Sequence, residues 1–412
     1  MIPLRTLPVR DSPAYHELVS RRRPTASDMH LVVAKILAEV RAGGDAALLD
    51  LTERFDRVRI PETSVPEAAW RAALEALDGR VRDALTEASR RIEAVHQAQV
   101  FREEAVTVAP GVRVWREWRP FRRVGLYAPG GRTVYPSSVL MMAIPARIAR
   151  CAEIVLCSPP QRDGRVAPAI LAAAAMAGVT EVHAVGGAQA VAALAYGTES
   201  IRRVDKIVGP GNSYVTEAKL QVFGEVAIDM PAGPSEVVVI SDGSVNPEWL
   251  AADLRAQAEH SPDALAVLLT TSDADAAALQ SIAEGQVTAY RCKTIDDAMT
   301  FANDFAPEHL SLACRDPERW LASVTSAGSI FLGAYAPAAA GDYATGANHV
   351  LPTGGAARSF GALGVPAFGR AVQVESVDQS GIERIAAVVE VLAELERLPW
   401  HASSVRLRSS PD

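Results

Sequence analysis

The hydrophobic pattern of the N-terminal segment has a helical period. Apolar residues recur at that spacing at Val32, Val33, Ile36, Leu37 and Val40. Ser27 can cap this helix, and Gly43-Gly44 can end it. The pattern of 65–99 predicts one or two further helices. Neither segment contains a cluster of chemically active side chains, so we interpret this part of the chain as a scaffold.

From residue 123 onward, short β-rich runs alternate with helical segments. Strands are predicted at 124–127, 153–157, 181–185, 204–208 and 226–229, and again at 236–241, 265–271, 309–313 and 329–332. Helices are predicted near 169–177, 247–259, 274–283, 294–304 and 317–326, and in the tail at 381–398. Such alternation is typical of βαβ units on mostly parallel sheets. We therefore predict an α/β fold with two Rossmann-like βαβ lobes, N-terminal helices and a C-terminal helical tail.

Composition and charge exclude several classes of protein. The 412 residues are 49% hydrophobic and 22% charged, which is typical of a globular chain. Lys and Arg total 41 against 49 Asp and Glu, and no basic block occurs, so we expect no nucleic-acid partner. The apolar runs are shorter than the roughly 20 residues of a spanning helix, so we expect no membrane insertion.

The N-terminus and the cysteines indicate the compartment. The N-terminus lacks the layout of a secretory signal, so we expect a cytoplasmic location. The four cysteines lie in apolar contexts without a CxxC pair, which favours reduced thiols over disulfides or a cysteine zinc site.

Glycine-rich turns follow three of the predicted strands. They are Pro129-Gly130-Gly131, Gly186-Gly187-Ala188-Gln189 and Gly209-Pro210-Gly211-Asn212. Glycine at a strand-to-helix turn lets the backbone approach a phosphate, and the helix N-terminus offers free N–H groups. None of the turns is a GxGxxG, and each alone is more typical of a tight turn in an α/β sheet than of a phosphate site. Three at one sheet edge favour a nucleotide or phosphate site there.

The histidines divide into two groups. His16, His30, His96 and His183 lie in helical or strand patterns without polar neighbours, and we interpret them as structural. The other four are His260, His309, His349 and His401.

Three of these histidines lie close in the sequence to another polar residue that could act as a metal ligand, an acid or a base. Gln257 and His260 are spaced to project from one helix face, as metal ligands would. Glu308-His309 pairs an acid with an imidazole, and Asp342 precedes His349 in a glycine-rich stretch. The spacing alone leaves the chemistry open, because a hydrolase with a water-activating zinc would use the same residue types.

Taken together, the motifs resemble those of the histidinol dehydrogenase family. Besides the three glycine turns, the motifs are Tyr135-Pro136-Ser137-Ser138, Asp229-Met230-Pro231-Ala232-Gly233-Pro234-Ser235-Glu236, Gln257-Ala258-Glu259-His260, Pro307-Glu308-His309-Leu310, Gly341-Asp342-Tyr343 and Asn348-His349-Val350-Leu351-Pro352-Thr353. They occur in order from about residue 25 to the end.

The resemblance implies a zinc- and NAD-dependent oxidoreductase of histidine biosynthesis. Such an enzyme oxidises L-histidinol to L-histidine through a retained aldehyde, with two NAD and one Zn²⁺ per subunit. Carried over by position, the implied zinc ligands are Gln257, His260, Asp342 and His401. The implied catalytic pair is Glu308 and His309, the implied substrate contacts are Ser235, His309, His349 and Glu396, and the implied NAD contacts are Tyr127, Gln189 and Asn212.

The resemblance also implies a domain plan. Residues 1–24 would form an arm, 25–124 with 236–365 the helical segment and zinc-binding catalytic lobe, and 125–235 the NAD-binding lobe. Residues 366–412 would form a tail that contributes to the partner's site in a homodimer with shared active sites.

Two departures from the family pattern keep the alternatives open. The segment 273–294 is shorter than expected, and Ala338 stands where many members have a glutamate. A paralogue that oxidises another small alcohol or diol therefore remains an alternative, as does an inactive module that binds NAD or metal.

Overall fold

The computed structural model describes residues 2–21, 27–130, 133–231, 233–275, 279 and 287–409. The strands are β1 (Leu4–Thr6), β2 (Val106–Ala109), β3 (Val112–Pro120), β4 (Arg123–Tyr127), β5 (Glu153–Ser158), β6 (Glu181–Ala184), β7 (Lys206–Val208), β8 (Ala227–Ile228), β9 (Glu236–Ser241), β10 (Leu265–Thr270), β11 (Val287–Arg291), β12 (His309–Ala313), β13 (Ser329–Leu332) and β14 (Gly369–Val377).

The helices alternate with these strands over much of the chain. They are α1 (Pro13–Ser20), α2 (Ser27–Asp56), α3 (Glu67–Glu75), α4 (Gly79–Gln97), α5 (Pro136–Ile148), α6 (Pro168–Ala177), α7 (Gly187–Tyr196), α8 (Ser213–Val222), α9 (Pro247–Ala258), α10 (Ile295–Phe305), α11 (Glu318–Leu321), α12 (Ala338–Tyr343), α13 (Gln379–Leu395) and α14 (Pro399–Ser409). No helix in the described ranges is long and apolar enough to cross a membrane.

The chain divides into two compact units. The first comprises Met1–Gln99 and Phe121–Phe368, and the second comprises Val100–Pro120 and Gly369–Asp412. The predicted α/β fold class, with mostly parallel sheets, N-terminal helices and C-terminal helices, is confirmed.

The first unit contains two parallel sheets. One has the strand order β6-β5-β4-β7-β8, and the other has the order β1-β11-β10-β9-β12-β13. In the first sheet the chain starts at the inner strand β4, builds to one side and then returns to the other. Strands β9 to β13 follow the same course in the second sheet, where β1 lies at the edge beside β11. This places topological switch points between β4 and β7 and between β9 and β12.

Helices cover both faces of these sheets, and the strand sequences follow from that. Every residue of β4, β9 and β12 is buried, as expected of strands covered on both faces, and β9 contains an uninterrupted apolar run over 237–240. Around the first sheet, α2, α7 and α8 pack into one apolar core that includes Val40, Leu194 and Val215.

The second unit consists of an antiparallel sheet and the two C-terminal helices. Strand β14 pairs with β3 along its length, from Gly369 opposite Pro120 to Val377 opposite Val112, and β2 pairs with the other edge of β3. Asp378 caps α13 by accepting a hydrogen bond of 2.9 Å from the Gly381 amide.

Several predicted elements were wrong or incomplete. The helix predicted to end at Gly43-Gly44 continues to Asp56 past a non-helical Gly44. The helix predicted for 317–326 covers only Glu318–Leu321. The strands β1, β2, β3, β11 and β14 were not predicted.

Some predictions fall on undescribed positions. Most of the predicted helix 274–283 lies outside the described residues, as do Gly131 and Ala232 of the quoted motifs.

Candidate active site

A cavity of about 400 Å³ lies in the first unit, where the two parallel sheets approach each other. Its walls come from the loops after β4 and β7, from the residues before β9 and β12, and from α12 with the loop that follows it. The first sheet therefore contributes the carboxyl ends of its strands, and the second contributes the amino ends. The predicted site residues that line the cavity are Asn212, Ser235, His260, Glu308, His309, Asp342 and His349.

Glu308 is a buried carboxylate at the start of β12. Its Oε2 accepts a hydrogen bond of 2.6 Å from the Ser235 hydroxyl and one of 2.9 Å from the Glu236 amide. Burial raises the pKa of Glu308 above its ordinary value, although His309 and the Ser235 hydrogen bond oppose the shift. A buried carboxyl with a raised pKa is suited to exchanging a proton near neutral pH.

His309, the next residue, faces two carboxylates. Its Nδ1 donates to the Glu236 carbonyl at 3.3 Å and lies 3.6 Å from Oε2 of Glu308. Its Nε2 lies 3.7 Å from Oδ1 of Asp342, which is an ion-pair distance and too long for a hydrogen bond. Burial lowers the pKa of His309, but the two carboxylates outweigh it and raise the value to about 9.

Asp342 and His349 are joined through the backbone. The His349 Nδ1 donates to the Asp342 carbonyl at 2.8 Å, so Nε2 carries the lone pair and accepts from the Ser138 hydroxyl at 3.0 Å. Burial opposes ionisation of the Asp342 carboxyl, but His309, His349 and His260 together lower its pKa. Burial lowers the pKa of His349 and so favours its neutral imidazole.

Gln257 and His260 lie at the end of α9. His260 lines the cavity, and its Nδ1 donates to the Ala256 carbonyl at 2.9 Å, which leaves Nε2 with a lone pair. Gln257 is 4% exposed, and its Nε2 is buried without a hydrogen-bond partner in the described structure. Since amide N and O are assigned by their contacts, turning this amide over would offer its oxygen instead.

The predicted NAD contacts lie at the carboxyl edge of the first sheet. Tyr127, the last residue of β4, is buried, and its Oη accepts a hydrogen bond of 3.2 Å from the Gly187 amide. Burial raises the pKa of Tyr127 to about 12. Gln189 is buried in α7, and the Asn212 side chain caps α8 by accepting from the amides of Tyr214 and Val215. Of the three predicted contacts, Asn212 lines the cavity.

Glu396 and His401 belong to the second unit. Glu396 terminates α13, and His401 lies in the first turn of α14; both are exposed. Their contribution to a site remains a prediction.

Sequence reasoning missed a set of residues that hold the His349 loop. Asn348 donates from Nδ2 to the Met141 carbonyl at 2.7 Å and to Nε2 of His96 at 3.2 Å. The prediction that His96 has no polar neighbour is therefore wrong. His96 and Asn348 lie 252 positions apart, so no local pattern connects them. Ser138 stood within a quoted motif, but nothing in the sequence indicated its partner.

Comparisons with known proteins show the family of this chain. A sequence model described as histidinol dehydrogenase matches residues 19–409. The chain belongs to the histidinol dehydrogenase family.

Relatives and a solved structure extend over nearly the whole chain. The histidinol dehydrogenase of Xanthomonas axonopodis pv. citri is 48% identical over 394 residues, which cover 91% of each chain. The one from Methanothermobacter thermautotrophicus is 45% identical over 409 residues, 95% of this chain and 96% of that one. The crystal structure of histidinol dehydrogenase from Elizabethkingia anophelis has a TM-score of 0.93 and 36% identity, and the match covers 99% of this chain and 98% of that one. The predicted family and the prediction of an oxidoreductase are confirmed.

The side chains present fit the zinc that this family resemblance implies. Within the described ranges, no three His, Cys, Asp or Glu side chains lie close enough to hold a metal ion. Of the four predicted ligands, Gln257 is not one of these residue types and His401 belongs to the second unit. Only His260 and Asp342 could therefore count toward such a group within the first unit. The free Nε2 of His260, the ionised Asp342 and the unpartnered Gln257 amide are nitrogen and oxygen donors, which suit zinc and also Mn or Co.

Proposed function

We propose that this chain oxidises L-histidinol to L-histidine through L-histidinal, the last steps of histidine biosynthesis. The observation that carries the proposal is the adjacent pair Glu308 and His309, buried at one wall of a cavity that also contains His260 and Asp342. Membership of the histidinol dehydrogenase family supports this substrate.

The chemistry divides between proton transfer and hydride transfer. NAD would accept a hydride in each of the two oxidations, and zinc held by Gln257, His260, Asp342 and His401 would orient the amino alcohol. The chain's own residues move the protons, so their protonation states set the order of events.

His309 accepts the alcohol proton in the first oxidation. The pKa of His309, about 9, reflects the charge of Glu308 and the full negative charge of the neighbouring Asp342. A cation on Asp342 would offset that charge and favour the neutral imidazole that a base needs.

Glu308 acts in the second half-reaction. It removes a proton from the water that adds to the aldehyde, and the hydrate then gives up the second hydride. The hydrogen bonds from Ser235 and the Glu236 amide hold Oε2 in place, and the raised pKa makes the carboxylate a stronger base than one in water.

The C-terminal tail supports a homodimer with shared sites. Exposed apolar residues line α13 in the single chain: Val388, Val391, Leu392 and Leu395. A contiguous apolar surface of this kind is typical of a protein interface. In the proposed two-fold pair, Glu396 and His401 of each chain serve the partner's site.

A second substrate class is favoured by one observation. Ala338, where many family members have a glutamate, begins the helix that carries Asp342. Loss of a carboxylate there would suit an alcohol that lacks the amine of histidinol.

The experiment is to compare NADH formation from L-histidinol with that from a panel of small alcohols and diols, using zinc-loaded protein. Preferred turnover of histidinol supports the proposal, and preferred turnover of another alcohol supports the paralogue.

A further inference from the structure

The first residue after β7, Gly209, has its backbone held on both sides by an ion pair. The Lys219 ammonium donates to the Gly209 carbonyl at 2.9 Å, and the Gly209 amide donates to Oδ2 of Asp229 at 2.7 Å. Lys219 and Asp229 also form an ion pair with each other. Both polar groups of one glycine are thus bound by two opposite charges that are themselves paired.

This ion pair is fully buried. The side chains are 2% exposed for Lys219 and 1% exposed for Asp229, and Lys219 arises from α8 within the apolar core. Lysine is almost never buried to this extent. A buried ion pair adds little net stability over an apolar pair of similar volume, because the cost of desolvation offsets the attraction. Stability alone therefore does not account for these two residues.

The turn they hold has little freedom. Gly209 has φ +133°, and a Cβ at this position would lie 2.2 Å from the Tyr127 carbonyl oxygen. The backbone thus passes directly over the end of β4, at the switch point between β4 and β7. The next residues, Pro210, Gly211 and Asn212, line the cavity.

We propose that Lys219 and Asp229 are positioning residues for the dinucleotide. They set the path of the Gly209 turn, so that Pro210, Gly211 and Asn212 meet NAD in a preformed arrangement. A preformed turn lowers the ordering cost of binding, and this would be visible in the affinity for NAD. The inference rests on the proposed function, in which NAD binds at this edge of the sheet.

The test compares variants of this ion pair with a matched variant elsewhere in the same sheet. Lys219→Met removes the donor to Gly209 but leaves Asp229 buried without its partner, which risks misfolding. The double variant K219M/D229N removes both charges, and the asparagine oxygen still accepts from the Gly209 amide. The control is Arg123→Met, because Arg123 is buried at the opposite, amino edge of the sheet and is paired with Glu153 and Glu181.

The measurements are the Kd for NAD by calorimetric titration, the KM values for NAD and L-histidinol, and the thermal midpoint. We expect K219M/D229N to raise the Kd and KM for NAD about tenfold, because the turn would then have to be ordered when NAD binds. The KM for L-histidinol should stay within about twofold. Arg123→Met should lower the thermal midpoint and leave the Kd for NAD unchanged.

Two results would overturn the inference. One is wild-type affinity for NAD in a folded K219M/D229N. The other is an equal loss of NAD affinity in Arg123→Met at a similar thermal midpoint, which would assign the ion pair to general stability. If the folded wild-type protein itself failed to bind NAD, the proposed function would fail, and this inference with it. If the wild-type protein binds NAD and K219M/D229N binds it equally well, only this inference fails.

Discussion

The Ser235 hydroxyl donates a hydrogen bond of 2.6 Å to Oε2 of Glu308. Ser235 was predicted to contact the substrate, and that contact stays a prediction. In this structure its hydroxyl holds the carboxylate that we assign to the second half-reaction. The two residues come from the amino ends of β9 and β12, on either side of the switch point in the second sheet. One oxygen of Glu308 is therefore fixed, and the other is left to exchange a proton.

Glu308→Gln should slow oxidation of the aldehyde far more than oxidation of the alcohol. Glutamine keeps the shape and accepts from Ser235, but it cannot take a proton from water, and loss of a general base costs about 100-fold or more. Single-turnover rates measured separately from L-histidinol and from L-histidinal check this. An equal fall in both rates would make Glu308 a positioning residue.

Removal of zinc should abolish turnover and leave the fold largely intact. The proposed ligands Gln257, His260 and Asp342 lie on elements that already have apolar cores, unlike those of a small domain that folds around its metal. Circular dichroism and activity before and after dialysis against a chelator check this, with zinc added back as the control. Full activity of the metal-free protein would contradict the zinc assignment.

Mixing two inactive variants tests the shared site. His401→Ala and Glu308→Gln are each expected to be inactive in forming L-histidine, which is the activity measured, but in a mixed dimer one of the two sites has both residues intact. Random exchange makes about half of the dimers mixed, so about a quarter of wild-type activity should return. If no activity returns after subunit exchange has been verified, His401 serves its own chain.

Asp56→Asn should stabilise the protein at pH 8 but not near pH 4. Burial raises the pKa of Asp56 to about 6, well above that of an exposed aspartate, and its Oδ2 is buried without a hydrogen-bond partner in the described structure. Because the folded state binds this proton more tightly, the contribution of Asp56 to stability falls as the pH rises from about 4 to 6.

Urea unfolding at both pH values measures the effect. The gain at pH 8 should be about 1 kcal/mol, a value that allows for solvent screening of a partly exposed group. Asp50→Asn, at an exposed position of the same helix, is the control and should change stability by less than about 0.5 kcal/mol at either pH. A gain that is equal at both pH values would show that the effect does not come from the buried charge.

Local pattern predicted the buried strands well and the edges of the sheets poorly. Strands β4, β9 and β12 are fully buried, and their predicted positions agree with the structure to within one residue. Strand β1 has only three residues and pairs with β11, and β14 pairs with the distant β3. Half-exposed strands of this kind owe their conformation to partners that lie far away in the sequence.

The site likewise has features that the local sequence predicts and others that depend on distant residues. The Glu308-His309 pair and the glycine turns are local, and they could be identified from the sequence. The contacts of Ser138 with His349, and of His96 with Asn348, join residues more than 200 positions apart. His30 and His183 also have distant partners, namely Glu217 for the first, 187 positions away, and Thr63 for the second, 120 positions away. The prediction that these two histidines lack polar neighbours is therefore also wrong.

The most direct test of the proposed function is the stoichiometry of complete turnover. Zinc-loaded protein is incubated with limiting L-histidinol and excess NAD, and both NADH and L-histidine are counted at the end point. The proposal predicts two NADH for each histidine formed and no accumulation of free aldehyde. No NADH from L-histidinol, under conditions in which the same protein oxidises another alcohol, would contradict it.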